Sequence, residues 1–290
     1  VRSQLTAIYA IVFAVVGLAG STAVAGPNDI TLQRFGTCTN PPGCISVDQD
    51  ETGFRNLARD LGLVFVPKGL VTAETLGQAG FSFQIDQNFS IVDNSQDYWV
   101  RGNVNGEPSG TLATTQVHIR KGLPFSFEIG AILTALWNSQ LAAVGTELRW
   151  ALHEDYLWPV PDLAVRGFVN TVVGSPQLSL TVTGFDIIAS IPIGVGNVMN
   201  VTPFAGYNMS IIISASRLID ATPADPTPPF EDLSDPSQSN FPEFVFGVEN
   251  EIVSQGIGGI RFQFALLNVL MQITASSHVQ TYSFSVGLDF

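Results

Sequence analysis

The sequence predicts an all-β fold: a closed antiparallel transmembrane β-barrel of about ten strands, behind a short N-terminal helical segment. Eight and twelve are the alternative counts. Three observations carry this expectation. From about residue 75 onward, apolar and polar residues alternate with a period of two. Most of the alternating runs cover about ten to sixteen residues. Ordinary globular strands have about five or six residues, whereas a tilted strand crossing a bilayer needs roughly nine to eleven. Charged residues make up 13% of the chain, about half the roughly 25% usual in soluble domains.

Residues 1–25 read as a secretory signal. Arg2 supplies a positive start, Leu5 to Ala19 an apolar run, and Ala23-Val24-Ala25 a small-x-small cleavage site. The mature chain is expected to begin at Gly26. Residues 26–74 are a second unit, either periplasmic or a plug for the barrel. Within it, Cys38 and Cys44 bracket a short loop and are expected to pair as a disulfide in the oxidising compartment that export implies. A zinc site would need two more ligands nearby. Phe54, Leu57, Ala58 and Leu61 recur at helical spacing, which predicts an amphipathic helix over roughly 52–62. A charged lumen would offer that stripe little apolar surface, so the helix is expected at the periplasmic mouth. Asp48, Asp50, Thr52 and Gly53 fit the start of a calcium loop, but its twelfth position is Arg59 where the motif needs a bidentate Glu. No metal and no cofactor are expected.

The barrel is assigned to 75–290, with strands at 75–86, 109–121, 123–136, 139–152, 161–173, 177–191, 199–214, 243–254, 258–273 and 277–290. The long segments 87–108 and 215–242 fall on one side, and the tight turns KGLP and SQGIGG on the other. That asymmetry suits long outer loops and short periplasmic turns. One face of the strands is mostly apolar and carries no Asp, Glu, Lys or Arg, although Thr115, Thr146, Pro203 and Asn250 interrupt it. It takes in Phe81, Phe83 and Ile85, then Ile129 and Leu133, Leu148 and Trp150, and Leu178, Leu180 and Val182. Tyr207 and Ile211, Phe244 and Phe246, and Phe262 and Phe264 continue it. The opposite face holds Asp86, His118, Arg120, Glu128, Glu147, Arg149, Arg166, Asp186, Glu249, Glu251, Arg261 and Asp289. Strand length and the export signal turn the apolar face to lipid, where a midplane Arg or Lys costs about 2–4 kcal/mol. The charges then form a lumen network, either an ion path or packing for a narrow interior.

The chain ends in TYSFSVGLDF. Tyr282, Phe284, Val286, Leu288 and the terminal Phe290 share one face. This stretch resembles the C-terminal strand of Gram-negative outer-membrane β-barrel proteins. The resemblance implies location in the cell outer membrane, closure of the barrel at this strand, and recognition of the strand by the barrel assembly machinery. It identifies no functional subfamily. The net charge of −13 excludes nucleic acid as a partner, since little neutralises phosphates. Membrane lipid and lipopolysaccharide are the expected surroundings.

Three functions fit this reading. The first is a structural barrel or a narrow-pore channel for small solutes. The second is surface interaction or adhesion through the acidic, Pro-rich loop 215–242, which carries Asp220, Asp225, Glu231, Asp232, Asp235 and Glu243. The third is an outer-membrane hydrolase of the omptin or phospholipase kind, for which no catalytic set is placed. His118 faces the lumen, His153 lies in a periplasmic turn, and His278 lies at an outer turn beside Ser276 and Ser277. The protein is therefore expected not to be an enzyme. Trp99, Trp137, Trp150 and Trp158 are expected at the membrane interfaces.

Overall fold

The computed structural model describes residues 26–39, 46–69, 71–154, 160–196, 198–221 and 243–290. Residues 1–25, Cys44, Trp158 and most of the acidic loop lie outside them. The described chain opens on a hairpin, β1 (Gly36–Thr39) and β2 (Ser46–Gln49), followed by helix α1 (Glu51–Phe65). The barrel strands start with β3 (Phe81–Ile91), then a loop holding α2 (Asp97–Gly102), then β4 (Thr111–Leu123), β5 (Phe127–Leu136), β6 (Ala142–His153), β7 (Asp162–Val173) and β8 (Leu178–Ser190). A short β9 (Ile193–Val195) precedes β10 (Met199–Ser216). The pair β11 (Ile219–Asp220) and β12 (Glu243–Phe244) closes the base of the acidic loop. The chain then completes the wall with β13 (Glu249–Phe264), β14 (Leu267–Ala275) and β15 (Gln280–Asp289).

Ten long strands pair antiparallel in chain order, and β15 returns to β3 to close the ring. At that seam the Phe81 N–H donates to the Phe290 carbonyl at 3.0 Å, and the Phe290 N–H donates back to Phe81 at 2.8 Å. Closure satisfies the backbone of every wall strand, the condition for crossing hydrocarbon. The two long connections, 92–110 and 217–248, lie at one end, which marks it as the outer end. Phe125, Ser126 and Ala265 take positive φ in the tight turns at the other.

Some strand boundaries differ from expectation. The first strand begins at Phe81, not 75, because Gly77 (φ +73°) turns the chain just before it. It continues to Ile91 because Asp86, Asn88 and Ser90 are buried lumen residues, although their polarity reads as loop. SQGIGG is not a turn. It lies inside β13, and the turn is at Ala265–Leu266. The glycines serve the wall instead. A side chain on Gly259 would strike the Phe204 ring. Beside Gly256 and Gly258, Ile260, Met271, Ile273 and Phe284 border a groove of about 630 Å³.

The interior has two tiers, and this decides where α1 sits. At the periplasmic end most lumen residues are polar, with a small apolar patch of Ile188, Phe204 and Leu270. At the outer end an apolar sector faces α1: Leu112, Leu136, Phe168, Val172 and Ile212 are buried there, while Ser90, Ser214 and Thr281 keep polar positions beside it. Leu178, Leu180 and Val182 belong to this inner core, not to the lipid face, since β8 keeps one phase from Leu178 to Ser190. Phe244 and Phe246 are buried there as well. The helix therefore does not dock at the periplasmic mouth. It inserts in the outer half, where Phe54, Leu57, Leu61, Leu63 and Phe65 are buried. Each such side chain contributes about 1.5–3 kcal/mol. Asp50 caps the helix by accepting the Gly53 N–H at 2.8 Å, and Pro67 ends it by disfavouring helical Val66. A Cβ on Gly62 would meet Ile212 at 2.6 Å, so helix and wall touch at that point. Trp99 is also inside, its Nε1 donating to Asp60 at 3.3 Å, while Trp137 and Trp150 face outward.

Candidate functional site

Below α1, residues 66–69 and 71–76 form a strap that runs down the lumen to the turn before β3. Wall side chains hold it by its backbone. Asn170 Nδ2 donates to the Phe65 carbonyl at 2.8 Å, and Arg166 Nη2 to the Pro67 carbonyl at 2.7 Å. Arg120 Nη2 donates to the Gly69 carbonyl at 3.3 Å, and Arg149 Nη2 to the carbonyls of Thr72 and of Glu74, the latter at 2.6 Å. Arg261 donates to the Thr72 hydroxyl. In return the Leu76 N–H donates to Glu128 at 2.6 Å, the Ala73 N–H to Ser190 at 2.9 Å, and the Lys68 N–H to Gln116 at 3.3 Å. A guanidinium has five donors in a rigid fork, so it can hold a carboxylate and a peptide carbonyl together.

The carboxylates complete the set. Glu147 accepts from Arg120 at 2.6 Å and from Arg166 at 2.8 Å. Asp186 pairs with Arg166 and Asn208, and Glu128 pairs with Arg149 at 2.8 Å. His118 lies between Asp86 (3.1 Å) and Glu147 (3.3 Å). The structure thus joins Asp86, His118, Arg120, Glu147, Arg166 and Asp186 in one buried cluster. Arg261 lies apart at the periplasmic end, 3.5 Å from Glu74. Glu249 and Glu251 are at the outer end, where they face Arg55 (3.1 Å) and Arg59 (3.8 Å) of α1. Also at that end, Arg101 pairs with Asp50 and stacks 5.0 Å above the Phe35 ring. Burial alone would raise the Asp50 carboxyl, but the Gly53 N–H and Arg101 outweigh it and hold it below the usual range.

A cavity of about 290 Å³ opens at the periplasmic end among Glu74, Arg149, Arg261 and Asp289. Val71, Thr75 and Leu76 of the strap form part of its wall. His278 sits in the exposed outer turn between β14 and β15, its N–H donating to the Ser276 hydroxyl at 3.2 Å.

Sequence reading missed the other half of this arrangement. Lys68 is buried, and its Nζ donates to the Leu63 carbonyl at 2.9 Å. Gln84, Gln116, Asn170, Asn208 and Ser190 are lumen contacts too. Their signal was position: each lies on the same strand face as the charges. Lys68 is also one of very few Lys in the chain, placed three residues after the end of α1.

A closed barrel of ten strands, lipid-compatible outside and packed by its own N-terminal segment inside, defines the class: this is an outer-membrane β-barrel protein. No protein-family model and no curated protein matches the chain. Solved structures that resemble it include the attachment invasion locus protein Ail of Yersinia pestis, at 9% identity and TM-score 0.30, over 73% of this chain and 99% of that one. The translocator domain of the autotransporter NalP from Neisseria meningitidis matches at 9% identity and TM-score 0.34, over 83% and 97%. An outer membrane channel from Pseudomonas putida F1 matches at 11% identity and TM-score 0.32, over 78% and 100%. At TM-scores this low, no property of those proteins extends to this chain.

Proposed function

We propose that this protein is a self-plugged outer-membrane barrel, structural in its resting state and closed to solutes. One observation carries the reading: Arg120, Arg149, Arg166 and Arg261 all bond to the strap instead of lining a free path. The charge network is a clamp, so the narrow-pore function exists only if the strap lets go. His118 is enclosed by the clamp, which leaves a substrate no approach and speaks against hydrolysis there. In planar bilayers the intact protein should show no channel events above background. Steady conductance from the wild-type chain would overturn the closed-barrel reading.

The setting supports two partners. Aromatic and aliphatic residues cover the lipid face of β15, and Phe290 closes the seam, as a strand handled by the barrel assembly machinery would require. Deleting Phe290 should lower the amount of folded barrel in the outer membrane, measured by gel mobility with and without heating. An unchanged amount would remove the assembly-signal reading. Lipopolysaccharide is the lipid expected around the outer rim. A Cys38–Cys44 bridge would close the β1–β2 connection.

A further inference from the structure

We propose that removal of residues 1–25 creates a structural group: the new α-ammonium of Gly26 seats on the buried Asp29 carboxylate and locks the plug at the outer end. The inference rests on export and cleavage of the leader, not on whether the barrel conducts. Hydrolysis of the Ala25–Gly26 amide by a leader peptidase consumes one water. It leaves a carboxylate on Ala25 and an ammonium on Gly26 at neutral pH.

The seat is already built. Gly26 N lies 2.7 Å from Asp29 Oδ2. Asp29 is only 8% exposed, and its other oxygen accepts the Ser139 hydroxyl at 2.6 Å and the Gln140 N–H at 2.7 Å. All three donors are neutral in the uncleaved chain, so a buried carboxylate lacks a counter-charge among them, a costly arrangement. The ammonium supplies that charge at the same atom. The fit also selects the residue, because a Cβ on Gly26 would collide with the Asn138 carbonyl. The neighbouring backbone is fixed as well: Asn28 N–H donates to Asn138 at 3.0 Å, and Asn103 Nδ2 donates to the Pro27 carbonyl at 2.7 Å. The first residue after the predicted cleavage is thus the one whose amine the outer loops receive.

The test compares the mature chain refolded in detergent with a chain carrying one extra Ser before Gly26, each with Asp29 and with Asp29→Asn. The added residue should lower the midpoint of heat-modifiable mobility by several degrees when Asp29 is present, and the difference should vanish with Asp29→Asn. No effect of the extension, or an equal effect in both backgrounds, overturns the proposal. If the Asn variant does not fold, N-terminal sequencing of the wild-type protein from outer membranes decides. A start at Gly26 supports the lock and any other start overturns it.

Discussion

Arg166→Ala should destabilise the folded barrel by about 3–5 kcal/mol and admit channel events that the wild type lacks. The size follows from what remains behind. Arg166 is almost fully buried and is bonded to Glu147, Asp186 and the Pro67 carbonyl, with Phe168 packed 5.1 Å beneath its plane. Removing it leaves Glu147 and Asp186 in the interior with less counter-charge, and frees the first residues of the strap. The loss should lower the heat-modifiable transition by about 10 °C, taking roughly 2–4 °C per kcal/mol. Arg166→Lys should restore only part of the stability, since one ammonium cannot grip both carboxylates and the carbonyl. The contrast is Arg55→Ala at the exposed outer pair with Glu249, where little change is expected. If Arg166→Ala melts with the wild type and stays silent in bilayers, the network is packing and not a clamp.

The barrel was legible because lipid imposes a simple rule. Outward residues such as Ile129, Leu148 and Phe284 alternate with buried Glu128, Glu147 and Ser285, and period-two patterning exposes that. The inner charges were legible for the same reason. The outer half of the lumen was not. There Leu178, Leu180 and Val182 are apolar because they meet a helix, while outward Thr181 and Thr183 pack beside other strands. On β8 alternation is kept but its polarity is inverted, so a rule that equates apolar with lipid assigns the wrong side of that strand. The strap was illegible for another reason. Pro67 to Leu76 has no period at all, and wall side chains hold it mostly by its backbone groups, which every residue supplies. Glycines misled in the other direction: Gly256, Gly258 and Gly259 signal a turn in sequence, yet they serve close packing and a groove.

The apolar outer sector carries the second large effect. Phe54→Ala should cost about 3–5 kcal/mol by emptying the centre of the outer core. Phe54 is fully buried, and its ring stacks on Phe246 with centroids 4.4 Å apart. Phe246 in turn meets Phe244 at 5.4 Å and Phe35 at 6.5 Å, both edge-on. Through Phe246, Phe54 therefore ties α1 to Phe35, just ahead of the β1–β2 hairpin, and to the base of the acidic loop. Its loss should unlatch the plug from outside while the Arg clamp still holds the strap below. Trypsin added to intact cells should then cut after Arg55 and Arg59, which the seated helix protects, and the strand wall should stay whole. Phe54→Leu keeps most of the volume and should resist cleavage nearly as well as the wild type. Equal resistance of Phe54→Ala would mean that the strap alone seats the helix, and that the aromatic cluster contributes little to closing the outer end.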